Sequence, residues 1–291
     1  MQGKIAFAGL VLALSATCVS AQSKGQTTTQ DDIYCSGVVT TESVPRDTYV
    51  ITGEGSNVKN TFQEGDYVYF NKGANQGVKV GDQFFVVRAI TDPTDVQWTK
   101  WQASIMKKLG KVWADQGRLR VVVVHPDVSI AQVQNSCNYV QRSDVVLPFT
   151  ERPAPPLKAE SNFDRFAPPS GKPTAMIISG RYWAQLSGTN STVYVNLGTN
   201  QGVKVGDYFR IFRYQGTEHE TAYQIKRVAF EIEPEFGEAG FGAVPKKWNW
   251  SNVPREVLGE GVVVRTAPNS ASVLITFSLR EILAGDYVEL E

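Results

Sequence analysis

The sequence predicts a mainly β protein: two tandem homologous small β-barrel domains, the first with an inserted helix, joined by a Pro-rich linker. Three observations predict it. A 21-residue stretch recurs 125 positions later, short β-branched runs are punctuated by Gly-Asp pairs, and seven of the 14 prolines gather between the two copies.

The predicted division is a signal peptide over 1–21, a polar segment over 22–31, barrels over 32–150 and 173–291, and a linker over 151–172. In the leader, Lys4 supplies the positive start, positions 5–19 are apolar, and Val19-Ser20-Ala21 offers small side chains to a signal peptidase. The cut is expected after Ala21, which makes the chain periplasmic or secreted. The apolar run is short for a spanning helix and no other run approaches that length, so no membrane span is expected after cleavage.

Cleavage removes Cys18 and leaves Cys35 and Cys137. In an oxidising compartment an even pair reads as a disulfide, although two buried free thiols are the alternative. A bridge closing a loop of about 100 residues contributes roughly 4–5 kcal/mol by chain entropy.

The repeat is the most specific feature. Residues 68–88 read VYFNKGANQGVKVGDQFFVVR and residues 193–213 read VYVNLGTNQGVKVGDYFRIFR, with 14 of 21 positions identical. Eight consecutive residues, 75–82 and 200–207, are the same. Farther on, Gly117 and residues 120–124, then Ser143-Asp144, correspond to Gly259 and residues 262–264, then Gly285-Asp286. The offset there is 142, so the second copy carries a longer insertion. Two copies of one domain explain a period of this size.

Within each copy the pattern reads strand, turn, strand. Residues 67–70 are a β-rich run. Gly77 and Gly81, with their counterparts Gly202 and Gly206, suit tight turns, and Asp82 and Asp207 can accept the turn amides. Val78 and Val80 alternate and are expected to face the core. Residues 84–88 form the next strand. The continuous β-branched runs 120–124 and 262–264 read as buried strands, and 272–277 adds another. Many short strands with regular turns predict a closed or nearly closed barrel. The inserted helix of the first copy is expected after a capping box at 93–97, with Trp98, Trp101, Ile105, Leu109 and Val112 forming an apolar stripe that packs on the barrel. The Pro-rich linker is expected to act as a semi-rigid spacer.

Composition excludes several function classes. Lys+Arg and Asp+Glu both number 29, which removes the electrostatic footprint of a nucleic-acid binder. Two His and three Cys leave little for a transition-metal site, and no cofactor is expected. Gly73, Gly77 and Gly81 lie between strands, whereas a phosphate-binding glycine loop precedes a helix. His125 and His219 lack spaced partners and read as solvated loop residues. Glu231, Glu233 and Glu235 alternate in the second insertion, as do Trp248 and Trp250. The glutamates are the residues a hydrolase would use. The tryptophans are the candidate ligand or partner contacts, since such aromatics stack on sugar rings or anchor proteins.

The string Asn-x-Gly-x-Asn-Gln-Gly-Val-Lys-Val-Gly-Asp before a β run, and the closing Gly-Asp-Tyr-Val, resemble the C-terminal domain of flagellar assembly protein T and related exported bacterial envelope modules. The resemblance covers about a third of each copy. It implies a noncatalytic β-barrel module and supplies no catalytic residues. The functional expectation is an exported, noncatalytic bacterial envelope protein, a binding or assembly module for an envelope protein or a cell-wall glycan. A hydrolase using the insertion carboxylates and a structural surface or appendage subunit are the alternatives. The sequence does not assign an oligomeric state.

Overall fold

The computed structural model describes residues 27–91, 99, 101–158, 163–214 and 254–291. The leader with its cut after Ala21 and the capping run at 93–97 lie outside the described residues. Among the described residues no helix is long and apolar enough to cross a membrane.

The chain enters through α1 (Gln30–Tyr34) and β1 (Val38–Thr40). The first barrel then uses β2 (Val50–Gly53), β3 (Thr61–Phe62), β4 (Tyr67–Phe70) and β5 (Gln83–Ile90), followed by α2 (Gln102–Leu109). It finishes with β6 (Lys111–Val124), β7 (Ser129–Ser136), β8 (Val140–Gln141) and β9 (Val145–Pro148). The main sheet runs β2-β4-β7-β6-β5-β9, with β1 added beside β6 and a small β3-β8 pair apart. Its two ends meet at the Tyr49–Val145 bridge. There Val50 N–H donates to the Asp144 carbonyl and Val146 N–H to the Thr48 carbonyl, both at 2.9 Å.

The second copy repeats this plan. It comprises β10 (Thr174–Gly180), β11 (Leu186–Ser187), β12 (Thr192–Val195), β13 (Tyr208–Arg213), β14 (Glu256–Thr266), β15 (Ala271–Ser278), β16 (Ile282–Leu283) and β17 (Tyr287–Leu290). The order β10-β12-β15-β14-β13-β17 closes on itself, and β11-β16 stands where β3-β8 stands in the first copy. Closure leaves no free strand edge in this barrel.

The identical eight-residue string is a plug. After Gly73 and Gly198 the chain makes a single 3-10 turn ended by Gly77 (φ 83°) or Gly202 (φ 84°). Amides of Ala74 and Asn75 bond the carbonyls of His125 and Pro126. Amides of Thr199 and Asn200 bond those of Ala267 and Pro268. The plug thus docks on the β6–β7 or β14–β15 connection. A Cβ on Gly198 would lie 2.2 Å from the Ala267 carbonyl oxygen, and one on Gly73 would lie 2.1 Å from that of His125. Gly198→Ala is therefore expected to destabilise by about 1–3 kcal/mol through forced backbone movement. Urea unfolding midpoints read this directly, and an unchanged midpoint would show that the plug yields freely.

Four turns share a second device. Gly65, Gly81, Gly206 and Gly285 have φ between 92° and 102°, and the next residue, Asp66, Asp82, Asp207 or Asp286, accepts the amide three positions back. Ser143-Asp144 does the same with Ser143 at φ 68°. This geometry corrects one expectation. Val78 is buried but Val80 is 68% exposed, because residues 77–82 form a turn and the strand alternation does not apply.

Each barrel is filled by its inward residues. Val68, Phe70, Val86, Leu119 and Val133 pack in the first; Val193, Val195, Ile211, Val263 and Ile275 pack in the second. Burying a side chain of this class contributes about 1.5–3 kcal/mol. The run 120–124 is not uniformly buried as expected. Arg120 and Val123 are exposed, whereas Val262 and Val264 lie under Leu157.

Leu157 belongs to the Pro-rich segment, which is not a bare spacer. Thr27 pairs with Pro156, and Phe163 and Ala167 pack with Phe212, Val257, Tyr214 and Tyr287 on the second barrel. Residues 33–44 clothe the first barrel similarly, with Ile33, Tyr34, Val38 and Val44 against Phe85, Val87 and Val145. Polyproline geometry leaves carbonyls free, and Arg255 uses that of Pro168 at 2.9 Å.

The helix also differs from expectation. It spans only 102–109, Val112 belongs to β6, and Trp101 is 62% exposed at the helix start. Its apolar face spans the two copies. Ile105, Met106 and Leu109 pack with Val39 and Val112 of the first and Ile178, Tyr194 and Trp183 of the second. The side-chain amide of Gln102 donates to the Ile178 carbonyl at 2.6 Å.

Candidate functional site

The predicted disulfide forms between Cys35 and Cys137. The turn residues Gly77, Gly81, Asp82, Gly202, Gly206 and Asp207 serve the plugs and turns described above. His125 is exposed in the β6–β7 turn. Trp248, Trp250, Glu231, Glu233, Glu235 and His219 lie outside the described residues. Among the described residues, no three His, Cys, Asp or Glu side chains come together as a metal site would need.

What the structure assembles is a pair of ion pairs in equivalent places. Arg88 on β5 donates through Nε and Nη2 to both oxygens of Asp144, at 2.6 and 2.7 Å. Arg213 on β13 does the same to Asp286, at 2.6 and 2.8 Å. Each carboxylate also accepts a turn amide, from Gln141 or Leu283. Burial works against charge on both members. It lowers the hold of Arg213 on its proton and raises the carboxyl of Asp286; their contact reverses the first effect and offsets only part of the second. Arg88 and Asp144 show the same directions. These pairs reinforce the barrels, since each ties β5 or β13 to the turn before its paired neighbour β9 or β17.

In the first barrel the pair borders an open groove. A hollow of about 530 Å³ is lined by Arg46, Tyr49, Arg88, Trp113 and Arg142 among others. A second hollow of about 510 Å³, lined by Glu42, Ser43 and Lys111, shares Arg46 and Trp113 with it. Arg46 therefore stands between the two hollows. Its guanidinium lies 5.2 Å from the Trp113 ring centroid, and it is exposed, with no ion pair among the described residues. The Arg88 guanidinium lies 4.8 Å from the Tyr139 ring, and Arg142 reaches the Ser56 carbonyl at 3.0 Å. Trp113 is held by the packed face of β6 against Ile33, Tyr34 and Val38.

A guanidinium held over an aromatic ring keeps donors for a ligand. With Arg142 and Lys111 nearby, the groove offers planar forks and a point charge to carboxylate or other acidic groups, plus apolar walls. The second barrel lacks the Trp113 and Arg142 side chains at the equivalent positions. Across the repeat, Trp113 and Arg142 correspond to Arg255 and Ala284. Arg255 is buried against Glu289 at 2.6 Å, under the linker.

Sequence reasoning missed this groove. Arg88 and Arg213 are identical within the repeat, as are Asp144 and Asp286 beyond it, and that double match was the available signal for the ion pairs. Nothing local in sequence marks Arg46 and Trp113, which lie 67 positions apart and meet only because β1 lies along β6. No family model and no curated protein matches this chain.

Proposed function

We propose that the chain is an exported, noncatalytic bacterial envelope protein that binds an acidic partner, an envelope protein or a cell-wall glycan, through the Arg46–Trp113 groove. The observation that carries this reading is an exposed guanidinium stacked on tryptophan between two hollows, with no carboxylate of the described residues paired to it. Three further features support it. The disulfide is compatible with an extracellular location. The leader reads as an export signal. The turn string resembles noncatalytic envelope modules.

Cell-wall peptides carry free carboxylates, so sedimentation with insoluble peptidoglycan tests the glycan version, and cross-linking in envelope extract tests the protein version. Arg46→Ala with Arg142→Ala is expected to weaken the productive interaction about tenfold or more, since charge-assisted forks contribute roughly 1.5–3 kcal/mol each. Both residues are exposed, so folding should persist. Binding unchanged by the double substitution would remove the groove from the site. Trp248→Ala and Trp250→Ala in the same assay measure what the second insertion adds.

A further inference from the structure

The seam between the barrels holds more positive charge than it neutralises. Asp115 on β6 is buried there, 1% exposed. Arg152, from the segment after β9, reaches both of its oxygens at 3.2 and 3.3 Å. Arg265 on β14 reaches them through Nη1, also at 3.2 and 3.3 Å. The Gly37 amide adds a bond at 2.8 Å. One carboxylate is thus shared by two forks at long distance, neither in the short parallel geometry seen at Asp144 and Asp286.

A third guanidinium is close by. Arg118 lies over the rings of Tyr34 and Phe149, and Arg152 lies over Tyr34 and Phe85. Arg118 makes no ion pair among the described residues, and its Nε is buried without a hydrogen-bond partner. Arg152 and Arg265 thus share one carboxylate, an excess of one positive charge, with Arg118 over the Tyr34 ring that Arg152 also covers. Burial and the neighbouring Arg152 both pull the Arg265 guanidinium below its ordinary value, and Asp115 only partly restores it.

These side chains border space. A cleft of about 310 Å³ opens between the copies, lined by Arg152, Arg265, Thr150, Phe85, Val205 and Val264 among others. Nε of Arg152 and both Nε and Nη2 of Arg265 have no hydrogen-bond partner among the described residues and are not shut away from solvent.

The repeat shows that this charge is not a requirement of the barrel. Asp115 corresponds to Val257, Arg118 to Glu260 and Arg265 to Val123 at the offset of 142. Each copy builds the same strand without the seam residue of the other. Buried charge lacking a fold requirement points to a ligand.

We infer that the cleft between the barrels binds a small oxyanion of phosphate type, held by the free edges of Arg152 and Arg265 and bridging the two copies. An anion matches the excess positive charge of Arg152 and Arg265 over Asp115, and the guanidinium fork matches phosphate oxygens. This site is separate from the Arg46 groove and does not rest on its reading.

Isothermal titration of the full chain with its disulfide intact, using inorganic phosphate in a buffer free of other oxyanions, tests the inference. The expected result is saturable one-to-one uptake that Arg265→Gln weakens about tenfold or more. Arg120→Ala, at an exposed position of β6 outside the cleft, is expected to leave that uptake unchanged. Arg265→Lys keeps the charge without the fork and is expected to fall between. Phosphate should also raise the unfolding midpoint of the unaltered chain, as any ligand of the folded state does. Absence of saturable uptake by the unaltered chain overturns the inference whatever the variants do. So does uptake that survives Arg265→Gln in folded protein at full strength.

Discussion

Asp286→Asn is expected to lower the unfolding free energy by about 3–5 kcal/mol, the range for removing one partner of a buried ion pair. The side chains of Asp286 and Arg213 are 0% and 6% exposed, so water cannot replace the lost partner. Asparagine keeps the shape of the carboxylate but turns a donor toward a guanidinium that only donates. It also leaves the Arg213 charge in a low-dielectric site with only Glu281, whose half-exposed carboxylate lies 3.8 Å away and whose carbonyl lies at 3.3 Å, as weak compensation. The equivalent Asp144→Asn is expected to cost less. Arg88 is 18% exposed, retains the Tyr139 carbonyl at 3.1 Å and lies over the Tyr139 ring. Replacing both members together, Arg213→Met with Asp286→Leu, is expected to recover much of the loss, because the desolvation of two charges disappears with their attraction. Urea unfolding of the four proteins gives the ordering. An Asp286→Asn loss under about 1 kcal/mol would place the pair among solvent-exposed bridges and contradict the burial seen here.

The barrels were legible because their signals are local. The plug string, the Gly-Asp turns and the period-2 runs each act over a few residues, and duplication stated them twice. The disulfide was legible from compartment and count. Where reading failed, the cause was either a local turn that overrode a periodic pattern or a contact between distant parts. Val80 alternates correctly with Val78, yet the backbone there serves a turn. The Pro-rich stretch has the composition of a spacer, yet Leu157, Phe163 and Ala167 give it an apolar face that the second barrel buries. Val112 continues the helical spacing of Ile105 and Leu109, but Gly110, at φ 97°, ends the helix first. The groove and the seam were least legible. Arg46 meets Trp113 only after the first copy folds, and Asp115 meets Arg265 only after both copies fold and dock. Their trace in sequence is negative: they are places where the copies disagree, and a repeat alignment attends to agreement.

The disulfide carries the second large effect, and its location makes the effect uneven. Cys35 and Cys137 are 102 positions apart. A cross-link over such a loop constrains the unfolded chain by roughly 4–5 kcal/mol, and removal from a native protein typically costs about 2–5 kcal/mol. The Cys35→Ser, Cys137→Ser chain is expected to lose stability in that range, read from urea midpoints against the oxidised protein. The cross-link also fixes backbone that the second barrel touches. The Cys35 carbonyl accepts from Arg181 at 2.9 Å, the Cys137 carbonyl from the Tyr182 hydroxyl at 3.4 Å, and the Ser36 carbonyl from the Tyr194 hydroxyl at 3.2 Å. Burial pushes the Tyr194 phenol well above its ordinary value, so it stays a neutral donor there. Ser272 and Ser270 donate to the carbonyls of Gly37 and Val39 in the same strip. Without the bridge, residues 35–39 lose one anchor while each barrel interior keeps its own packing. Amide exchange should therefore quicken first at Gly37, whose amide is held by Asp115, and later at Val86 or Ile211 in the barrel interiors. Uniform acceleration across both interiors with Gly37 unchanged would show that the bridge acts on the unfolded chain alone and that the seam stands without it.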